Sequence, residues 1–220
     1  MRSLSVFDKL IWLSFALIGA LLLVRMMGSG TNRYLFLIWN IFLAWLPYVF
    51  SNFLPRYLNK ANWKQWMLLA SWLLFFPNAL YIVTDLVHLR ADTNIPWWYD
   101  TMLLFLSSIT GLLLAFKSLF QVEHFLQQKF KSRDLRFVLP SLLFIGSFGV
   151  YLGRFERWNS WNIINQPLGL FENILQCFLN PVQNWRVWCI TTVFSLVYSM
   201  LFYSMRLLPA AMNKKIPGAD

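Results

Sequence analysis

Charged residues are scarce in this chain: they make up 13% of its 220 residues, whereas about 25% is usual in a soluble domain. Hydrophobic residues reach 58%, so too little polar surface remains to cover a soluble particle of this size. The two cysteines, Cys177 and Cys189, are too few for a disulfide framework. Nucleophile-elbow and phosphate-loop motifs are absent from the sequence. The composition therefore excludes a disordered chain and argues against a soluble enzyme.

Long apolar runs dominate the sequence instead. A helix needs about 20 mainly apolar residues to cross the roughly 30 Å hydrocarbon core of a bilayer. We therefore predict an all-α fold, a polytopic membrane helix bundle that forms one domain over residues 1–220, with about six transmembrane helices. The predicted spans are residues 10–27, 34–54, 66–89, 98–120, 137–153 and 185–208.

The segment 168–179 is apolar at helical spacing but too short to span a membrane. It predicts a short amphipathic helix on the outer leaflet, whose apolar face carries Phe171, Ile174, Leu175 and Phe178. Several tryptophans fall at the predicted outer ends of the spans, which is typical of an aromatic belt. They are Trp97, Trp98, Trp158, Trp161, Trp185 and Trp188.

Basic residues are unevenly divided between the two sides of the membrane that the predicted spans define. Thirteen Lys and Arg residues fall on the side of the N-terminus and six on the other side. Short cytoplasmic loops carry the excess of such residues, so the sequence predicts an inner-membrane protein with both termini in the cytoplasm. The net charge of +10 is then an anchor that contacts anionic lipid, and nucleic acid is not a predicted partner.

Polar residues in the third predicted span form the first candidate site. At about 100° per residue, Asn78, Tyr81, Asp85 and His88 fall within about 80° of helix arc, and Thr84 borders them. An ionisable residue inside a membrane is costly and is therefore a functional hypothesis. Asp85 and His88 are the candidate catalytic acid–base residues, and the other three are supporting polar groups.

Two alternatives compete with a catalytic site here. Pro77 precedes the stripe and predicts a kink that lines a cavity, but Asn78 and Asp85 could equally form a polar clamp to neighbouring helices. Asp85 and His88 could also supply two metal ligands. Because catalytic zinc needs a third protein ligand, we predict no metal and no cofactor.

A second candidate site follows the fifth predicted span. Arg154 and Arg157 lie three residues apart, so they share a side of a continuing helix. Two guanidinium groups suit a phosphate or a carboxylate, and Glu156, Asn159 and Ser160 would support them. The alternative is that both arginines extend to phospholipid headgroups without specificity. The predicted topology places both candidate sites at the same membrane face.

These two motifs resemble a bacterial integral-membrane family known as domain of unknown function 1361. Its FPNxxYxxTDLxHL signature lies at residues 76–89 and its GRFxRxNSW signature at residues 153–161. The resemblance covers most of the chain and implies shared positions, but no activity. Those positions are Pro77, Asn78, Tyr81, Thr84, Asp85, His88, Arg154, Arg157, Asn159 and Ser160.

Three functions remain open on the sequence, and it does not decide whether the protein is an enzyme. A membrane enzyme would act on a lipid or a cell-envelope anion, with Asp85 or His88 as acid or base. A transporter component would use the polar stripe as a solute or proton path. A non-catalytic protein would use its polar ends to recognise another envelope protein.

Overall fold

The computed structural model describes residues 5–58, 63–89, 95–130, 135 and 137–212. These residues are almost entirely helical and contain no strand, which confirms the predicted all-α class. The chain divides into two compact units, residues 1–133 and residues 134–220. That the chain forms one domain over residues 1–220 stays a prediction.

Four long helices form the described part of the first unit. Apolar runs become helices because the backbone groups of a membrane segment must bond within that segment. The helices are α1 (Val6–Ser29), α2 (Phe36–Phe53), α3 (Trp63–Tyr81) and α4 (Trp97–Phe130). Short 3₁₀ helices, Leu54–Tyr57 and Ile82–His88, follow α2 and α3.

Close packing between α3 and α4 fixes the centre of this unit. A Cβ atom at Gly111 would lie 2.8 Å from the carbonyl oxygen of Ala79, so only glycine permits this approach. The buried indole N–H of Trp72 donates to the hydroxyl of Ser118 at 3.1 Å, and that hydroxyl donates to the Ala115 carbonyl at 2.8 Å. The polar groups between these two helices are therefore satisfied by one another.

Among the residues that the structure describes, five helices are long and apolar enough to cross a membrane. They comprise Val6–Ser29, Phe36–Tyr57, Trp63–His88, Trp97–Phe130 and Trp185–Leu208. The remaining predicted span, residues 137–153, is α5 (Val138–Arg154), which has 17 residues. Because a helix rises about 1.5 Å per residue, α5 is about 25 Å long and lies at the lower limit of a crossing helix.

The fourth predicted span is longer than expected. It was predicted to end at residue 120, but α4 continues to Phe130 and has 34 residues. At about 1.5 Å per residue this helix is about 51 Å long, so one end extends beyond the roughly 30 Å apolar core. The extension buries Val122 and Phe125. Because this burial stabilises the added turns, the helix continues beyond residue 120, where the continuous apolar segment ends.

The second unit contains α5, α6 (Asn162–Asn165), α7 (Pro167–Leu179) and α8 (Trp185–Met212). The predicted short amphipathic helix is confirmed as α7, although Ile174 packs against the core rather than on the exposed apolar face. Trp158 and Trp188, predicted in an aromatic belt, also pack against this core. The buried core residues are Tyr151, Leu152, Cys177 and Val187.

Candidate functional site

The helix that carries Asp85 and His88 changes type within the predicted polar stripe. It continues through Pro77 as an α-helix to Tyr81 and then becomes the 3₁₀ helix Ile82–His88. A 3₁₀ helix turns about 120° per residue, so the α-helical register predicted beyond Tyr81 is wrong. Residues three apart share a side of a 3₁₀ helix, and Asp85 and His88 therefore lie on the same side.

Both residues contact α2. Asp85 is 1% exposed, and its Oδ2 accepts a hydrogen bond from Nδ2 of Asn40 at 2.8 Å. His88 is exposed, and its ring centroid lies 5.1 Å from that of Phe36, one helical turn before Asn40. The Tyr34 hydroxyl donates to the His88 carbonyl at 3.1 Å. Asp85 thus makes the interhelical bond of a clamp, while His88 presents an accessible imidazole.

Two of the supporting residues in this stripe bond to their own helix. Nδ2 of Asn78 donates to the carbonyl of Phe75 at 3.1 Å, and the Thr84 hydroxyl donates to the carbonyl of Tyr81 at 2.6 Å. Such local bonds satisfy a polar side chain without a distant partner. The local bonds of Asn78 and Thr84 therefore fit a structural role in this segment, where Tyr81 is half-buried.

A buried ion pair that the sequence pattern did not reveal joins α1 to α4. Nε and Nη2 of Arg25 donate to the two carboxylate oxygens of Asp100 at 2.7 and 3.1 Å, and both side chains are 1% exposed. Nη1 of Arg25 donates to the hydroxyls of Ser29 and Thr31 at 3.3 and 3.1 Å. The guanidinium also lies 4.4 Å above the ring centroid of Tyr34. This bidentate, fully bonded arrangement is what allows a charge to be buried.

The signal for this pair was present in the sequence. Arg25 falls inside an apolar span, and Asp100 falls just inside another; a charge in either position needs a partner. The topology count treats Arg25 as a loop residue, and the structure corrects this because Arg25 lies within α1. Burial raises the pKa of Tyr34, and the charge of Asp100 acts in the same direction. The phenol therefore keeps the proton that it donates to the His88 carbonyl.

The second candidate site lies in the segment 155–161, which we call the Arg157 loop. The helix α5 ends at Arg154, so the prediction that Arg154 and Arg157 share a continuing helix is wrong. Arg157 has φ 60°, a left-handed conformation that costs a non-glycine residue about 1–2 kcal/mol. Its side chain is exposed and has no hydrogen-bond or ion-pair partner among the described residues, whereas Arg154 is half-buried and has partners.

Contacts with α5 and α7 hold this loop in place. The Tyr151 hydroxyl donates to Oε1 of Glu156 at 3.0 Å, and Nδ2 of Asn173 donates to Oε2 at 3.4 Å. The ring of Trp158 packs over Gly169, where a Cβ atom would lie 3.3 Å from Cη2 of the indole. The backbone N–H of Trp158 also donates to the carbonyl of Leu152 at 3.0 Å, so these contacts hold Arg157 in the left-handed conformation that often ends a helix.

The other residues around the loop complete its polar surface. The exposed Asn159 donates its backbone N–H to Oδ1 of Asn162 at 2.6 Å, and Ser160 is half-buried. Burial raises the pKa of the nearby Cys177 thiol, and the charge of Glu156 raises it further. A protonated thiol is a poor nucleophile, so Cys177 serves packing in this unit.

The structure groups the predicted site residues within each unit. It brings Asp85 and His88 to one side of a 3₁₀ helix, and it places Glu156 beside Arg157 in one fixed loop. The described residues contain no group of three or more His, Cys, Asp or Glu that could hold a metal ion. That the two candidate sites lie at one membrane face stays a prediction.

Taken together, the long apolar helices and their internally bonded polar groups define a polytopic helical membrane protein. Residues 39–201 match the family model described as "Protein of unknown function (DUF1361)". The chain therefore belongs to this family, which confirms the family that its resemblance predicted. No curated protein and no solved structure matches the chain.

Proposed function

We propose that this chain is a multi-pass protein of the bacterial inner membrane that binds the phosphate group of a lipid or another cell-envelope anion. The Arg157 loop is the binding site, at the outer membrane face. The observation that carries this proposal is the exposed guanidinium of Arg157, which has no partner among the described residues and lies on a left-handed backbone. A guanidinium presents several N–H donors in a planar fork that suits phosphate.

The charged groups of the first unit fit a structural role instead. Arg25 and Asp100 satisfy one another in a buried bidentate pair, and Asp85 accepts a bond from Asn40. Groups that are buried and already hydrogen-bonded are less available to a ligand than an exposed cation is. We therefore assign anion binding to the Arg157 loop and a structural role to Asp85.

A membrane enzyme is the second candidate, and His88 favours it. Its imidazole is exposed, its backbone carbonyl is held by Tyr34, and it shares a side of the 3₁₀ helix with Asp85. An accessible imidazole can act as a general acid or base. In this reading His88 is the general acid or base in a reaction of a lipid or a cell-envelope anion.

The buried polar residues of α4 give little support to a third function, that of a transporter component. The hydroxyls of Ser107, Ser108 and Thr110 donate to carbonyls one turn earlier in the same helix, each at 2.8 Å. These hydroxyls therefore have acceptors for their protons within the helix and need no solute to satisfy them.

The proposal is tested by lipid binding to the purified full chain. Arg157→Ala should weaken the binding of phosphatidylglycerol at least fivefold, measured by native mass spectrometry as lipid is titrated. Arg206→Ala is the matched control, because Arg206 is also exposed in the second unit but lies toward the C-terminal end of α8. Equal loss in both variants would mean a nonspecific headgroup contact and would overturn the proposal.

A further inference from the structure

We infer that the segment Ile82–His88, which we call the switch segment, converts between two helical forms. In the form that the structure shows, the segment is a 3₁₀ helix whose Asp85 bonds to Asn40 of α2. In the second form it continues α3 as an α-helix, and its polar side chains move to one face of that helix. The polar clamp and the polar stripe expected from the sequence are thus two states of one segment. The switch involves no residue of the Arg157 loop and does not depend on the proposed function.

The switch segment is unusually long for a 3₁₀ helix. It has seven residues, whereas runs longer than three or four residues are uncommon, because the hydrogen-bond geometry of a 3₁₀ helix is poorer than that of an α-helix. Within a longer helix, a stretch of this type often marks a hinge. Contacts with other elements therefore have to stabilise this form against the α-helix.

The sequence around the switch segment has the periodicity of an α-helix instead. At about 100° per residue, Asn78, Tyr81, Asp85 and His88 fall within about 80° of helix arc. The 3₁₀ helix after Tyr81 turns about 120° per residue, so Asp85 is rotated by about 80° and His88 by about 140° from those positions. Places where a local pattern and the structure disagree are often functional.

Two carbonyls where the helix changes type accept bonds from side-chain hydroxyls. The Thr84 hydroxyl donates to the carbonyl of Tyr81 at 2.6 Å, and the Ser108 hydroxyl of α4 donates to the carbonyl of Ile82 at 3.3 Å. In an α-helix these carbonyls would accept the backbone N–H groups four residues later. A side chain that enters this hydrogen-bond ladder distorts the helix. Both hydroxyls therefore favour the change of helix type after Tyr81.

Three contacts with α2 and the residues just before it stabilise the 3₁₀ form. Nδ2 of Asn40 donates to Oδ2 of Asp85 at 2.8 Å, and the Tyr34 hydroxyl donates to the carbonyl of His88 at 3.1 Å. The imidazole centroid of His88 lies 5.1 Å from the ring centroid of Phe36. Conversion to an α-helix would shorten the segment by about 3.5 Å and rotate both residues. All three contacts would then be weakened or lost.

The packing of the switch segment differs between its start and its end. Ile82 is fully buried and packs against α4, where a Cβ atom at Gly111 would lie 3.1 Å from its Cδ1. Leu86, Val87 and His88 are all exposed, so they can turn without displacing the core. Because the backbone bonds within the segment in both forms, lipid does not oppose the conversion. The start of the segment is therefore a pivot for its end.

Conversion changes what the segment presents to a ligand. In the 3₁₀ form Asp85 is buried and bonded to Asn40. In the α form it shares one face with Asn78, Tyr81 and His88, so four polar side chains become available together. A polar ligand with a higher affinity for these aligned groups would shift the population toward the α form.

Distances between spin labels test the switch in the full chain in lipid nanodiscs. Val87→Cys and Trp66→Cys carry the labels, since these side chains are 70% and 53% exposed, and Cys189→Ser removes the exposed native thiol. Double electron–electron resonance should give two label–label distances in this chain. The second should be shorter by about 3 Å, because each residue rises about 0.5 Å less in an α-helix than in a 3₁₀ helix.

Variants that remove one hydroxyl each should shift the balance between the two distances. Tyr34→Phe removes the donor to the His88 carbonyl, and Thr84→Val removes the donor to the Tyr81 carbonyl. Each should raise the ratio of the shorter to the longer distance about threefold, the effect expected from the loss of one hydrogen bond. Thr110→Val is the matched control and should leave the ratio unchanged, because the Thr110 hydroxyl bonds within α4 at 2.8 Å.

A second label pair shows whether a variant keeps the helix bundle intact. Trp66→Cys with Phe105→Cys, which is 52% exposed on α4, joins α3 to α4 without including the switch segment. Its distance should be the same in the unaltered chain and in the variants. The inference is overturned if the shorter distance between the labels at Trp66 and Val87 is absent from the unaltered chain and from every variant that keeps this second distance.

Discussion

The charged pair of the first unit and Arg157 of the Arg157 loop differ in burial and in hydrogen bonding. Arg25 and Asp100 are each 1% exposed and bond to one another through two pairs of atoms. Arg157 is exposed, has no partner among the described residues, and lies on a strained backbone. Burial of either charge of the ion pair without its partner would strongly destabilise the fold. The left-handed backbone of Arg157 also costs free energy, and strained residues often occur at functional sites. The comparison separates charges that are bonded within the fold from the one that we propose binds a ligand.

The largest expected effect concerns the buried ion pair. Arg25→Ala leaves Asp100 buried without its cation, so we expect a loss of about 3–5 kcal/mol in the free energy of unfolding. Thermal or denaturant unfolding in detergent measures this loss. The double variant Arg25→Met with Asp100→Leu should recover much of the stability, because it leaves no unpaired charge. A stable Arg25→Ala protein would show that this pair is not a structural element.

The next prediction tests whether Asp85 stabilises the fold through its hydrogen bond to Asn40 of α2. Asp85→Asn replaces the acceptor that faces the amide of Asn40, and hydrogen bonds to charged groups contribute about 1.5–3 kcal/mol. We expect a loss of about 2 kcal/mol, measured by the same unfolding method. Exchange of the two side chains, Asn40→Asp with Asp85→Asn, should restore part of it. Unchanged stability together with lost cellular function would instead favour the acid–base role.

A third prediction compares satisfied and unsatisfied hydroxyls. Ser118→Ala removes the acceptor of the Trp72 indole, and a buried donor left without a partner costs about 1–3 kcal/mol. In the second unit, Oγ1 of the fully buried Thr191 has no hydrogen-bond partner among the described residues. Thr191→Val should therefore be neutral or stabilise the protein by up to about 1 kcal/mol. Destabilisation by Thr191→Val would mean that this hydroxyl has a partner in the membrane.

Sequence reasoning predicted the helical class and the positions of most spans because apolar runs leave the backbone only one solution in lipid. It did not predict the 3₁₀ helix after Tyr81, because periodicity assumes one turn angle throughout. It also missed which partner each charge would find. Arg25 and Asp100 are 75 residues apart, and Asn40 and Asp85 are 45 apart. Such pairs depend on how helices assemble, which a single sequence does not encode locally. The candidate residues were nevertheless visible as costly polar groups.

The smallest expected effect bears most directly on the comparison. Arg157→Gly removes the side chain from a backbone with φ 60°, a conformation that glycine adopts without cost. The relief of strain exceeds the entropy lost by glycine, so we expect stabilisation of about 0.5–1 kcal/mol, measured by thermal unfolding. The same variant should lose lipid affinity, as we expect for Arg157→Ala. A residue whose removal makes the protein more stable but less able to bind is retained for its ligand. If Arg157→Gly destabilises the fold, the arginine has a structural role, and the contrast between the two regions fails.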